Sequence, residues 1–388
     1  MNLPQSGRLD GPAAAGRVAH LGPISFAKKT PNWESVGSAI LIRLRSIGDT
    51  VLMTPCLDAI KAWRPDIEIS VLSEPYSAPL LEDHPLVDRL IIAGQSSASR
   101  ARLIADLRRL RFDIAFNLHG GTTATVIAAL SGARYTVGYH GYRQSWMLGW
   151  RAPSPDVILG RARIHSVEQQ LALLGWSGVP WPRLQPKLAL SVEPEAKARI
   201  QRRLAGIADL GLSASSAGFG VIAPAAAAEP KRWPAARFAA VADHLQDYWG
   251  LPCVIIAGPG QESVARESAS ASRSGPRVLT GLSLKELMAL LSLAAVFVGN
   301  DSGPAHIAAA FECPEVVIFG PSNVQVWHPW TDSPYRVLCP NDGAINRDSV
   351  NRDSASGAAS DGIAAIPASE CITAVNEVLE GDPRATDH

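Results

Sequence analysis

The chain has 388 residues, 47% of them apolar, and its 36 Lys and Arg balance 36 Asp and Glu. That length exceeds one typical core and predicts two domains. Five scattered cysteines form no C-x-x-C pair, which argues against a disulfide framework or a zinc site. The charge is uneven: residues 1–200 hold 23 basic and 16 acidic side chains, and residues 201–388 hold 13 and 20. A basic half predicts an anionic lipid or sugar partner, although an uneven solvated surface explains the count equally well. No nucleic-acid partner is expected. The start of the chain lacks a signal-peptide core, and the longest apolar run, "LMALLSLAAVFVG", is too short to cross a bilayer. The expected location is cytoplasmic, with peripheral contact at the inner membrane leaflet.

Residues 1–36 are rich in Gly, Pro and Ala without periodicity and predict a disordered extension. Order begins with "AILIRL", a buried strand, followed by the turn "RSIGD" and a helix reaching Trp63. The strands "IEISVLSE" and "DRLIIA", the basic helix "SRARLIADLRRLRF" and the strand "DIAFNLHGG" continue the alternation. Strands alternating with helices predict a parallel sheet covered on both faces. This first unit is assigned to 37–205. A second unit, 216–375, repeats the pattern from "GFGVIAPAA" to "EVVIFGPS", read as its final strand, and closes with the helix "ASECITAVNEVLEG". Within it, residues 341–362 repeat "NRDS" and read as a low-complexity loop. The fold class is therefore α/β, two doubly wound units facing a cleft at the carboxyl ends of both sheets.

Four strand-to-helix hinges carry the polar chemistry. In "LRSIGDT", Asp49 stands at a helix start, where it either caps the helix or acts as a general base toward a hydroxyl. Arg43 and Arg45, read as alternate strand residues on one face, flank it and suit an anionic acceptor. In "IAPAAAAEPKRWPAARF", Lys231 follows the strand end at Pro224 and is placed either to neutralise a departing diphosphate or simply at the surface. "AGPGQE" departs from the dinucleotide fingerprint and weakens a nicotinamide reading. In "FVGNDSGPAHIAAA", Pro304 suits a first helical turn, and free amides there form an anion site that Gly303 lets a ligand approach. Asp301 or Ser302 capping that helix is the plainer role. His119, Asn117 and His165 stand near strand ends or helix starts, where structural roles are commoner than catalytic ones. No D-x-D pair occurs, so no paired-carboxylate metal site is expected.

Together these motifs resemble the ADP-heptose:lipopolysaccharide heptosyltransferases of glycosyltransferase family 9. The resemblance runs from about 38 to 340, through "ILIRLRSIGDTVLMTPCLDAIKAWRPDIEISVL", "APAAAAEPKRWPAARFAAVADHL" and "VGNDSGPAHIAAAFECPEVVIFGPSNVQVWHPW". It implies a GT-B architecture with an N-terminal acceptor domain and a C-terminal donor domain. It implies that Asp49 is the catalytic base and that Lys231 contacts phosphate. Pro224, Asp301, Ser302, Gly303, His306 and Glu262 would bind the donor, and Arg43, Arg45 and His119 the acceptor. The implied reaction is inverting, metal-independent and free of cofactors, with ADP-heptose as donor and a Kdo-lipid core as acceptor. Ala225–Ala228 and Arg45 depart from the family pattern and leave room for another donor or acceptor. A nucleotide-sugar epimerase and a non-catalytic nucleotide-sugar binder are the alternatives from other classes.

Overall fold

The structure, a computed structural model, describes residues 30–180, 186–206, 218–340 and 362–381. Six strands build the first sheet: β1 (Ser38–Ile42), β2 (Glu68–Ser73), β3 (Arg89–Ile92), β4 (Ile114–Asn117), β5 (Tyr135–Tyr139) and β6 (Trp150–Ala152). All pairs are parallel, in the order β3-β2-β1-β4-β5-β6. Its helices are α1 (Ile47–Val51), α2 (Thr54–Trp63), α3 (Ser97–Leu110), α4 (Thr122–Leu130), α5 (Pro155–Leu159) and α6 (Ser166–Trp176), and α7 (Pro194–Ala205) leads onward. β1 is apolar on both faces because both are covered. Ile40 and Ile42 pack with Leu103, Leu107 and Ile127, while Ala39 and Leu41 face Leu57 and Leu171.

The second sheet holds β7 (Gly220–Ala223), β8 (Cys253–Ile256), β9 (Arg277–Leu279), β10 (Val296–Asn300), β11 (Glu315–Ile318) and β12 (Tyr335–Leu338). It too is parallel, in the order β12-β11-β10-β7-β8-β9. Around it lie α8 (Ala235–Trp249), α9 (Glu262–Ser270), α10 (Leu284–Leu291), α11 (Gly303–Ala310), α12 (Val324–Trp327) and α13 (Ala368–Glu380). Counted within its own half, each sheet has the same order, with the reversal between its first and fourth strands. Ligands of such sheets bind at that reversal, outside the carboxyl ends. One apolar cluster runs through both halves, joining Leu41 and Leu57 to Val221, Leu290 and Phe297.

The structure corrects several expectations. Order begins before residue 37, because Trp33 packs edge-on against Trp63 at 5.0 Å and its indole donates to the Ser177 carbonyl at 2.8 Å. Residues 1–29 lie outside the described residues, as do 341–361 of the low-complexity loop. "EVVIFGPS" is not the last strand. β12 follows it at the sheet edge, where the exposed Arg336 interrupts an apolar reading. α7, assigned from sequence to the first unit, lies against the second. Its Arg203 donates to the Thr280 carbonyl at 3.0 Å and its Arg199 lies 3.7 Å from Glu286.

Candidate active site

The first half of the site grows from the end of β1. Arg45 and Ser46 both take positive φ, 63° and 53°, a strained pair for residues with side chains. Tyr76 holds the turn, its hydroxyl accepting from the Ser46 amide at 2.8 Å. Ser46 then caps α1, accepting from the Asp49 amide at 3.0 Å, while its hydroxyl donates to Asp49 Oδ2 at 2.8 Å. Since Ser46 is the cap, Asp49 is not needed as one. Its other oxygen, Oδ1, pairs with Arg43, whose second amino group donates to the Leu118 carbonyl. The two arginines do not share a face as expected. The positive φ at Arg45 breaks strand alternation, burying Arg43 and leaving Arg45 exposed.

β4 delivers His119 to the same place. Buried Asn117 accepts from the His119 and Gly120 amides, both at 3.1 Å, and donates to Thr125 Oγ1 at 2.9 Å, so its amide shapes the turn. Burial, followed by the positive charge of Arg43, holds the His119 imidazole down at about 4. It is neutral at pH 7 and offers a hydrogen bond without charge.

The second half grows from β7 and β10. Asp301 Oδ2 accepts from Lys231 Nζ at 3.0 Å, and neither Asp301 nor Ser302 caps α11 with its side chain. Ser302 instead donates to the Asn300 carbonyl at 3.0 Å. The fully buried Asn300 is the organising residue. Its amide donates to the Pro224 carbonyl at 2.7 Å and accepts from the Trp233 amide at 3.1 Å. It thereby ties β10, the loop after β7 and the segment carrying Lys231 into one piece. Gly320 completes the backing of that segment, since a side chain there would lie 2.7 Å from the Pro230 carbonyl. Glu262, at the start of α9, accepts from the Gly260 amide at 3.2 Å, and backbone N–H groups hold its carboxyl below the usual range. Its neighbour Gln261 donates to the Ala226 carbonyl at 2.8 Å, which puts α9 beside the alanine loop.

The two halves touch. Gly303, expected to leave room for a ligand, is approached by the first half: a side chain there would meet Ile47 at 2.9 Å. His306 lies buried over Gly48, with Nδ1 unpartnered. Burial pushes its imidazole down, while Asp301 and Asp49 act against that push. The structure thus brings Asp49, Arg43, His119, Lys231, Asp301 and His306 together at both sheet reversals. Arg45 stands exposed at the margin, and Glu262 lies behind the alanine loop. Sequence reasoning gave no role to Ser46 or Asn300, and gave Asn117 only a general structural one. The S-x-x-D spacing pointed to the first, but nothing marked the two asparagines as buried. Among the described residues, no group of three or more His, Cys, Asp or Glu is placed to hold a metal ion.

A carboxylate held by an arginine and a hydroxyl, opposite a lysine–aspartate pair, suits transfer of a group from an anionic donor to a hydroxyl. Solved structures share the fold. A glycosyl transferase family 9 structure from Veillonella parvula superposes with a TM-score of 0.75 at 22% identity, over 89% of this chain and 98% of that one. The E. coli ADP-heptose LPS heptosyltransferase II gives 0.70 at 22%, over 89% and 99%. The fold is that of the GT-B glycosyltransferases. Residues 100–353 match the model of glycosyltransferase family 9 (heptosyltransferase), and the chain belongs to that family. Among curated relatives, an E. coli lipopolysaccharide heptosyltransferase 3 is 29% identical over 88% of this chain and 99% of its own length. A Salmonella typhimurium lipopolysaccharide heptosyltransferase 2 is 26% identical over 71% and 81%.

Proposed function

We propose that the enzyme moves heptose from ADP-heptose to the lipopolysaccharide inner core, with inversion and without a metal ion. The observation that carries this reading is the meeting of Asp49 and the Lys231–Asp301 pair at the two sheet reversals. The names of the heptosyltransferase 3 and 2 relatives support the sugar and the acceptor.

In the step proposed, an acceptor hydroxyl oxygen attacks the anomeric carbon as the bond to the β-phosphate breaks. Asp49 Oδ2 takes the hydroxyl proton, with Arg43 and Ser46 fixing the carboxylate. Lys231 turns from Asp301 to the phosphates and neutralises the ADP that leaves, aided by the amides at the start of α11. Asp301, released from Lys231, accepts from sugar hydroxyls, because a carboxylate beside a diphosphate would be repelled. His119 and Arg45 line the acceptor side. Contact with the inner leaflet follows from a lipid-anchored acceptor; no helix among the described residues is long and apolar enough to cross a membrane.

The buried Ala225 and Ala226, which present backbone alone, favour a second reading in which the donor differs from ADP-heptose. One assay separates these: the protein with ADP-heptose and a Kdo-lipid acceptor, in excess EDTA. ADP release with a one-heptose mass gain on the acceptor is expected. No release above control overturns the donor and acceptor assignment. Loss on chelation that magnesium restores overturns metal independence alone, and turnover without acceptor points to an epimerase.

A further inference from the structure

Large apolar side chains exposed at a site's margin are costly unless something covers them. Trp146 is 71% exposed, and Val157 is 58% exposed on α5. Both lie on one flank of the first unit, on the chain that leaves β5 and passes through the edge strand β6. The flank is knitted together: Ser145 donates to the His140 carbonyl, the His140 amide donates to the Ala152 carbonyl of β6 at 2.8 Å, and α5 with Val157 starts three residues after that strand.

The position of Trp146 is built rather than incidental. Gln144, two residues earlier, takes φ 60°, a left-handed conformation unusual for its type, and its side chain accepts from the Trp146 indole at 3.0 Å. Gln144 takes this strained conformation beside an indole that is held mostly outward. Charge on the flank is mostly positive. Between residues 140 and 163 there are four arginines and a single acid, Asp156. Arg143, Arg151 and Arg163 are exposed, and none forms an ion pair among the described residues. The same loop borders the acceptor side of the cleft, since the Arg143 amide donates to the Gly120 carbonyl next to His119.

We propose that this flank docks onto a bilayer bearing anionic lipid headgroups. Trp146 and Val157 enter the interface, where an indole suits the boundary between hydrocarbon and water. Arg143, Arg151 and Arg163 meet the phosphates. The contact holds the acceptor side of the cleft beside the membrane, and this rests on the reading that the acceptor is lipid-anchored.

The test is co-sedimentation of the full chain with phosphatidylglycerol–phosphatidylcholine vesicles and with phosphatidylcholine alone, at low salt. Binding to the anionic vesicles only is expected. Trp146→Ser with Val157→Ser should weaken it about tenfold, and each of R143Q, R151Q and R163Q about fivefold. Kinetics on a delipidated, water-soluble acceptor should stay unchanged in all of them. Vesicle binding equal to wild type in the Trp146/Val157 variant overturns the proposal. So does wild-type protein that ignores anionic vesicles or binds both kinds alike. A raised KM for the delipidated acceptor in W146S would instead make Trp146 a sugar contact. Sedimentation needs neither donor nor turnover, so it decides the surface even if the transfer reading fails.

Discussion

Gly48 and His306 meet across the cleft so closely that a methyl on the glycine would lie 2.4 Å from His306 Cδ2. His306 thus rests on the peptide next to Asp49. Movement of α11 would be felt at Asp49 through this contact.

Gly48→Ala should therefore displace a buried ring that has no free space. Overpacking of this kind costs about 1–3 kcal/mol. We expect a lower melting temperature and a reduced kcat, both partly restored in Gly48→Ala/His306→Ala. A single variant that melts and turns over as wild type would show that the ring yields without consequence.

Asp49→Ala should lower kcat by about 10²- to 10⁴-fold with little change in donor affinity. Ser46 remains as the cap of α1, so the variant should stay folded. Near-normal turnover in steady-state assays would remove Asp49 from the chemistry.

Asp301→Ala separates two roles. If the carboxylate binds sugar hydroxyls, calorimetry should show ADP-heptose weakened more than ADP. If it serves only to orient Lys231 through their 3.0 Å pair, both ligands should weaken alike.

Acid should loosen the contact between the halves. His165 caps α6, donates to the His328 carbonyl at 2.9 Å and stacks on Trp330 at 4.7 Å. Burial first, then the charge of His328, pushes it down to about 3. The unfolded chain binds this proton near pH 6.5 and the folded chain only near 3. Stability is therefore full above about pH 6.5 and falls as pH drops toward 3, by an amount on the order of a few kcal/mol. Melting temperatures taken from pH 7.5 to 4.5 should fall less steeply in His165→Asn, which removes the titrating group. An unchanged slope would assign the acid sensitivity to other groups.

Much of this architecture was legible in the sequence because buried parallel strands are runs of apolar residues. "AILI" and "VFVG" could only be covered on both faces, and the hinges after them carry Asp49 and Asp301. The short edge strands were harder. β6, β9 and β12 are three or four residues long and carry an exposed arginine each, so their pattern resembles loop. The shared face assumed for Arg43 and Arg45 failed because strain at a turn leaves no mark in composition. The burial of Asn117 and Asn300 was unreadable for a different reason. An asparagine at a strand end is usually a solvated turn residue, and only the packing around it reveals that it is buried and bonded on both sides.

The loop after β7 is held entirely by its carbonyls. Asn300 grips that of Pro224, while Arg232 and Gln261 converge on that of Ala226 at 3.2 and 2.8 Å. Every amino acid possesses a carbonyl, so this wall keeps its shape whatever short side chains it carries. Ala227 and Ala228, which are exposed, can therefore exchange for other small residues without rebuilding the scaffold. Asn300, Arg232 and Gln261 carry the constraint instead.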